Sequence, residues 1–154
     1  MATIVATTRV QREALLEDFG RPEHAALYVP RILQEHLAED PLRHAWVSEG
    51  SAIFADVSGF TKLSEALAQK GREGAEQITD TIEQVFGLML GVAYERGGSL
   101  LKFGGDALLL WFAGDDHAAR ACGAAMRMRG VLDEVGTIQL PDVSITLRIS
   151  QGVR

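Results

Sequence analysis

A chain of 154 residues with a formal net charge of −6 and a pI near 5.2 is about one domain, and its charge gives no electrostatic footprint for nucleic acid. Hydrophobic residues at 47% against 23% charged exclude a disordered chain and supply enough apolar surface for a core. The single Cys122 excludes an intramolecular disulfide and fits a reducing compartment. Met1-Ala-Thr-Ile-Val5 lacks the basic start and long apolar run of a secretory signal, and no stretch reaches the length of a membrane span. The expectation is a cytoplasmic domain with no membrane and no nucleic-acid partner.

Residues 1–47 read as a helical arm. Val10, Ala14, Leu15 and Phe19 recur at helical spacing, and Gly20-Arg21-Pro22 stops that segment. A second short helix starts at Pro30, carries Ile32, Leu33 and Leu37, and ends at Asp40-Pro41. His24, His36 and His44 match no metal-ligand spacing and are expected at the surface. The arm's expected role is packing or dimer contact.

Residues 48–154 read as the second domain. Glu49-Gly50 turns the chain into the apolar run Ala52 to Val57, a strand covered on both faces or central in its sheet. Ser58-Gly59 breaks it, and a helix from Thr61 places Leu63, Ala66 and Leu67 on one face until Gly71. The next helix is the clearest: Ile78, Ile82, Val85, Phe86, Met89, Leu90 and Ala93 form one apolar stripe, opposite Glu76, Asp80 and Glu83. Gly97-Gly98 ends it.

Two apolar runs, Ser99 to Phe103 and Ala107 to Phe112, then flank Gly104-Gly105. This reads as a β-hairpin, because the favoured two-residue turns need positive φ, and it displays Asp106 at its tip. Asp115 or Asp116 is expected to cap a further helix that buries Ala118, Ala119, Cys122, Ala125, Met126 and Leu132, with Cys122 a packed core thiol. Val143, Ile145, Leu147 and Ile149 alternate with polar residues, the pattern of one half-buried strand. The order predicts an α+β sandwich with a mainly antiparallel sheet and helices on one face, close to the ferredoxin-like βαββαβ unit. Ending just after a strand, it is expected to be incomplete at the C-terminus.

The chemistry-bearing positions lie at the ends of these strands. If their strands are neighbours, Asp56 and Asp106 meet at one end of the sheet. Two carboxylates about 4 Å apart repel by about 4 kcal/mol at an effective dielectric near 20, a cost a divalent cation reverses. Carboxylate and carbonyl oxygens favour hard ions such as Mg²⁺ or Mn²⁺, and two such ions clamp both oxygens of a phosphoryl transfer. Ser58-Gly59-Phe60-Thr61, between strand and helix, offers backbone N–H groups to an anion. Lys102, flanked by Leu101 and Phe103, is expected on the face opposite both, for a ligand contact or a buried pair.

Phe54-Ala-Asp-Val-Ser-Gly-Phe-Thr61 and Leu101-Lys-Phe-Gly-Gly-Asp-Ala-Leu108 resemble the two metal-binding motifs of the class III adenylyl/guanylyl cyclase catalytic domain, most of all the soluble, bicarbonate-responsive type and its bacterial relatives. The resemblance covers about residues 48–154, and Tyr28-Val-Pro-Arg-Ile-Leu33 is similar to the segment preceding such domains in large bacterial proteins. It implies that Asp56, Asp106 and the Val57 carbonyl hold two Mg²⁺ or Mn²⁺ ions. Ser58, Gly59, Phe60 and Thr61 would hold the β- and γ-phosphates, and Lys102 would read the purine, favouring ATP over GTP, or face a regulatory pocket.

The implied reaction is attack of the ribose 3′-oxygen on the α-phosphate, giving cyclic AMP and pyrophosphate. The family's site forms between two domains, as a homodimer or within a longer chain, and its second purine contact and transition-state asparagine and arginine lie beyond Arg154. The chain alone is therefore expected to be inactive. Alternatives are a guanylyl cyclase, a non-catalytic cyclase-like dimerisation or regulatory module, and a diguanylate cyclase. In the last, the Gly-Gly-Asp hairpin continues with an acid and an aromatic, whereas Ala107-Leu108 follow here.

Overall fold

A computed structural model describes residues 29–42, 45–68, 70–140 and 144–154. The chain divides into two compact units, residues 1–49 and 50–154. The predicted helix over residues 10–19, its stop at Gly20-Arg21-Pro22, Tyr28, His24, His44 and Val143 lie outside the described residues.

In the first unit, α1 (Arg31–Glu39) follows Pro30, whose carbonyl accepts from the amides of Leu33 and Gln34. Proline suits this place because its fixed φ fits a helix start. His36 is not at the surface as expected. It is 9% exposed and stacks on Trp46 with ring centroids 3.7 Å apart. The reason is positional: His36 falls one turn after Ile32 and Leu33, on the helix's apolar side.

The second unit runs β1 (Gly50–Ser58), α2 (Phe60–Ala68), α3 (Arg72–Glu95), β2 (Gly98–Gly104), β3 (Ala107–Ala113), α4 (His117–Val135), β4 (Thr137–Gln139), β5 (Ser144–Thr146) and β6 (Arg148–Val153). The main sheet has the order β2-β3-β1-β6, antiparallel throughout. This is the ferredoxin-like arrangement, with β4 and β5 as an added two-stranded ribbon.

β1 is central, as expected, but its two faces differ. Ile53, Ala55 and Val57 are fully buried, whereas Phe54 between them is 55% exposed. The first set joins Leu108, Leu110 and Phe112 of β3 in packing against the helices; the second set faces away from them. An apolar run is therefore not evidence of cover on both faces.

The stripe of α3 is as read: Val85, Phe86, Met89 and Ala93 are buried, with Ile78, Ile82 and Leu90 packed against them. The helix ends where Gly97 takes φ 74° and its amide bonds back to Tyr94. In α4 the predicted face was misplaced. Ala121, Ala124, Ala125, Met128, Val131 and Leu132 are buried, while Cys122 is exposed and Met126 is 78% exposed. Alanines line this helix on several sides, so the stripe is set by the bulky Met128, Val131 and Leu132, and Cys122 lies about 100° from the buried Ala121. Asp116 does occupy the N-cap position, but it makes no capping hydrogen bond through its side chain.

The single strand expected over residues 143–149 is two. Ser144–Thr146 pairs with β4, and Arg148–Val153 pairs with β1. At the break, the buried Leu147 bonds through its amide to the Gly136 carbonyl.

Candidate functional site

The site is built by three strand ends and one helix start. Asp56, third from the end of β1, lies opposite Ala107 of β3 and opposite Ser150 of β6. Directly paired residues share a face, so the Asp56 side chain projects from the helix-free side of the sheet with Phe54 and Ser58. The β2–β3 hairpin returns through Gly105 and Asp106 rather than Gly104-Gly105, since Gly104 still pairs with Ala107. Only Gly105, at φ 74°, has positive φ, as a type II′ turn requires. Asp106 is thus a turn residue itself, and it is exposed.

One hydrogen bond joins the two acids' backbones. The Val57 amide donates to the Asp106 carbonyl at 3.0 Å. In an antiparallel strand the N–H and C=O of one residue project to the same side, so the Val57 carbonyl also faces the hairpin tip. The fold therefore sets the backbones of Val57 and Asp106 against each other, one residue along each strand from the paired Asp56 and Ala107. Neither carboxylate has a hydrogen-bond or ion-pair partner among the described residues, and no group of three His, Cys, Asp or Glu converges there. Carboxylate and carbonyl oxygens of this kind are the donors that hard cations favour.

Gly59 connects β1 to α2 at φ 111°. A Cβ there would meet Leu147 Cδ2 at 3.0 Å and the Thr146 carbonyl at 3.1 Å, so the loop is pressed onto the β5–β6 junction. α2 opens at Phe60, one residue earlier than read, and its first internal bond runs from Leu63 to Gly59. The amides of Phe60, Thr61 and Lys62 have no acceptor within the helix. The Phe60 ring is committed to the core, stacked on Phe86 at 5.7 Å, so of this residue only the N–H is available to a ligand. Ser58 Oγ donates to the Arg148 carbonyl at 3.4 Å.

Lys102 pairs with Leu109 beside a bulge at Leu100/Lys102, which puts it on the helix-free face that also carries Asp56. Phe103 turns the other way, its ring edge-on to Phe86. Lys102 is exposed, which excludes the buried pair.

Three residues were missed in the sequence. Arg148, exposed and opposite Ser58, and Ser150, opposite Asp56, belong to a strand whose partner could not be read from alternation alone. Arg120 is the third: its guanidinium donates to the carbonyls of Ala113, Asp115 and Arg96, tying the ends of β3 and α3 to the start of α4.

This sheet order, with helices on one face, is that of class III adenylyl/guanylyl cyclase catalytic domains, the family of the curated relatives and solved structures that the chain matches. No family model matches it. Among known proteins it is similar to "Adenylate cyclase 1" of Rhizobium meliloti (strain 1021), 31% identical over 138 residues, covering 82% of this chain and 20% of that protein. The chain thus spans about a fifth of the length of that relative.

Among solved structures, the adenylyl cyclase CyaB from P. aeruginosa is 26% identical with a TM-score of 0.51, covering 67% of this chain and 53% of that one. A bacterial light-regulated adenylyl cyclase, 17% identical, shares the fold at a TM-score of 0.62 over 96% of this chain and 44% of its own.

Proposed function

We propose that residues 48–154 form one wall of an adenylyl cyclase site, converting ATP to cyclic AMP and pyrophosphate. The observation that carries this reading is the register that sets Asp56 and Asp106 at one strand end beside the Gly59 loop. Asp56, Asp106 and the Val57 carbonyl hold two Mg²⁺ or Mn²⁺ ions. Bound there, the ions supply activation of the ribose 3′-hydroxyl and neutralise charge on the triphosphate.

The chain's own groups do the rest of the positioning. The free amides at the start of α2 receive the β- and γ-phosphates, and Gly59 keeps that approach clear of a side chain. Arg148 adds a cation beside Ser58. As the 3′-oxygen bonds to the α-phosphorus, its proton is lost and the bond to pyrophosphate breaks. Lys102, one pleat along the same face, reads the purine.

The other wall is a second cyclase domain, as a homodimer or within a longer chain, laid on the helix-free face where Phe54 is exposed. No helix among the described residues is long and apolar enough to cross a membrane, and a cytoplasmic setting suits an ATP-consuming enzyme with a lone thiol.

Calorimetric titration of ATP and of GTP in the presence of Mn²⁺ tests the assignment. ATP is expected to bind more tightly, and Lys102→Ala to erase the difference. Equal affinities for the two nucleotides in the unaltered chain would remove Lys102 as a purine reader.

A further inference from the structure

We propose that Phe103 is a positioning residue for Asp106: its ring seats the end of the β2–β3 hairpin on α3 and so fixes the acid that the hairpin presents to a cation. The inference rests on the reading of Asp106 as a metal ligand. Asp106 follows Gly104 and Gly105, which have no side chain to anchor them, and Gly105 takes φ 74°. The placement of the acid is therefore set by the packed residues on either limb of the turn. The β3 limb is held firmly. Ala107 and Leu108 are 5% and 0% exposed, and the Asp106 carbonyl accepts from the Val57 amide.

The β2 limb has less to hold it. β2 is an edge strand with β3 as its neighbour, and its register shifts at Leu100/Lys102. Such a bulge disrupts the ladder locally. Lys102, Phe103 and Gly104, beyond it, are all exposed. Lys102 projects from the helix-free face, and Gly104 has no side chain. Phe103, directly paired with the buried Leu108, turns to the helices. Its ring meets Phe86 of α3 with centroids 5.8 Å apart and planes at 87°.

That geometry is the edge-to-face arrangement aromatic rings prefer. Phe86 is a firm footing, because it is 6% exposed and stacks on Phe60 at 5.7 Å. Phe60 in turn opens α2 directly after Gly59. One row of rings thus runs from the hairpin through α3 to the start of α2. Phe103 keeps 48% of its surface in water, so its burial adds little to the core and its loss is expected to leave the fold in place.

The test is Mn²⁺ binding to the full chain, followed by calorimetry and by the loss of the free-ion electron paramagnetic resonance signal. An aromatic pair shifts a two-state equilibrium by about two- to tenfold, so Phe103→Ala is expected to weaken Mn²⁺ binding about fivefold. Phe103→Tyr, which keeps the ring, is expected to restore most of the loss, and Phe103→Leu, which keeps only apolar bulk, to restore less. In a Phe86→Leu background, Phe103→Ala is expected to have little further effect, because the partner ring is already gone. Each affinity is measured where urea unfolding shows the variant to be fully native, so a loss of stability alone leaves it unmoved. If Phe103→Ala binds Mn²⁺ as the parent does, or if its loss is undiminished in the Phe86→Leu background, the proposal is overturned while the acid pair stands. If Asp106→Asn itself leaves Mn²⁺ binding unchanged, the metal-site reading fails first and takes the proposal with it.

Discussion

Replacing Gly59 by alanine tests the loop that joins the strand of Asp56 to the helix beneath the proposed phosphate site. Two costs combine. At φ 111° an L-residue is strained by about 1–3 kcal/mol. The added methyl would also sit 3.0 Å from Leu147 Cδ2, 3.1 Å from the Thr146 carbonyl and 3.4 Å from the Leu147 Cα. The last two atoms are backbone and cannot rotate away, so crowding adds about 1–3 kcal/mol. Restricting the unfolded chain returns about 0.4–1 kcal/mol.

The net expectation is a loss of about 3 kcal/mol, or on the order of 10 °C in melting temperature. Gly105→Ala is the matched control. Its φ of 74° is also positive, but nothing lies within 4 Å of the added Cβ, so the cost is about 1 kcal/mol of backbone strain alone. Urea unfolding of both variants measures the difference. Equal losses at the two positions, or a loss under about 1 kcal/mol at Gly59, would refute the close approach of this loop to the β5–β6 junction.

Arg120→Ala removes donors to four backbone carbonyls, those of Arg96, Gly97, Ala113 and Asp115, and is expected to cost about 2 kcal/mol by chemical denaturation. Arg120→Lys should not rescue it, because one ammonium cannot span acceptors on three segments. Along α4, Met128→Ala is expected to lose about 2–5 kcal/mol from a fully buried site, while Cys122→Ser stays within about 0.5 kcal/mol of the parent. Free Cys122 should react with a thiol reagent in the native state; protection from the reagent would contradict its exposure.

The legibility of the fold followed the strength of each periodic signal. The stripe of α3 and the hairpin were readable because bulky apolar residues and paired glycines leave few alternatives. The face of α4 was not, since alanine carries little burial signal and several helix sides look alike. The split of residues 144–153 between two sheets was also hidden: alternation reports which face a residue takes, not which strand it pairs with. That ambiguity concealed Arg148 and Ser150, although both outward positions were visible. Asp56 and Asp106 were legible because glycine-marked turns follow or precede each of them. Their shared strand end follows only from the β1–β3 register. His36 went astray because an isolated histidine gives no hint that a tryptophan ten residues later will cover it.

The central claim is that Asp56 and Asp106 hold cations as one site, and a double-mutant cycle on Mn²⁺ affinity tests it most directly. Asp56→Asn and Asp106→Asn are each expected to weaken binding by roughly tenfold or more, with the double variant little worse than either single one. Non-additivity of this kind marks groups that act together. Losses that simply add, or Mn²⁺ affinity unchanged by either substitution, would contradict a shared site.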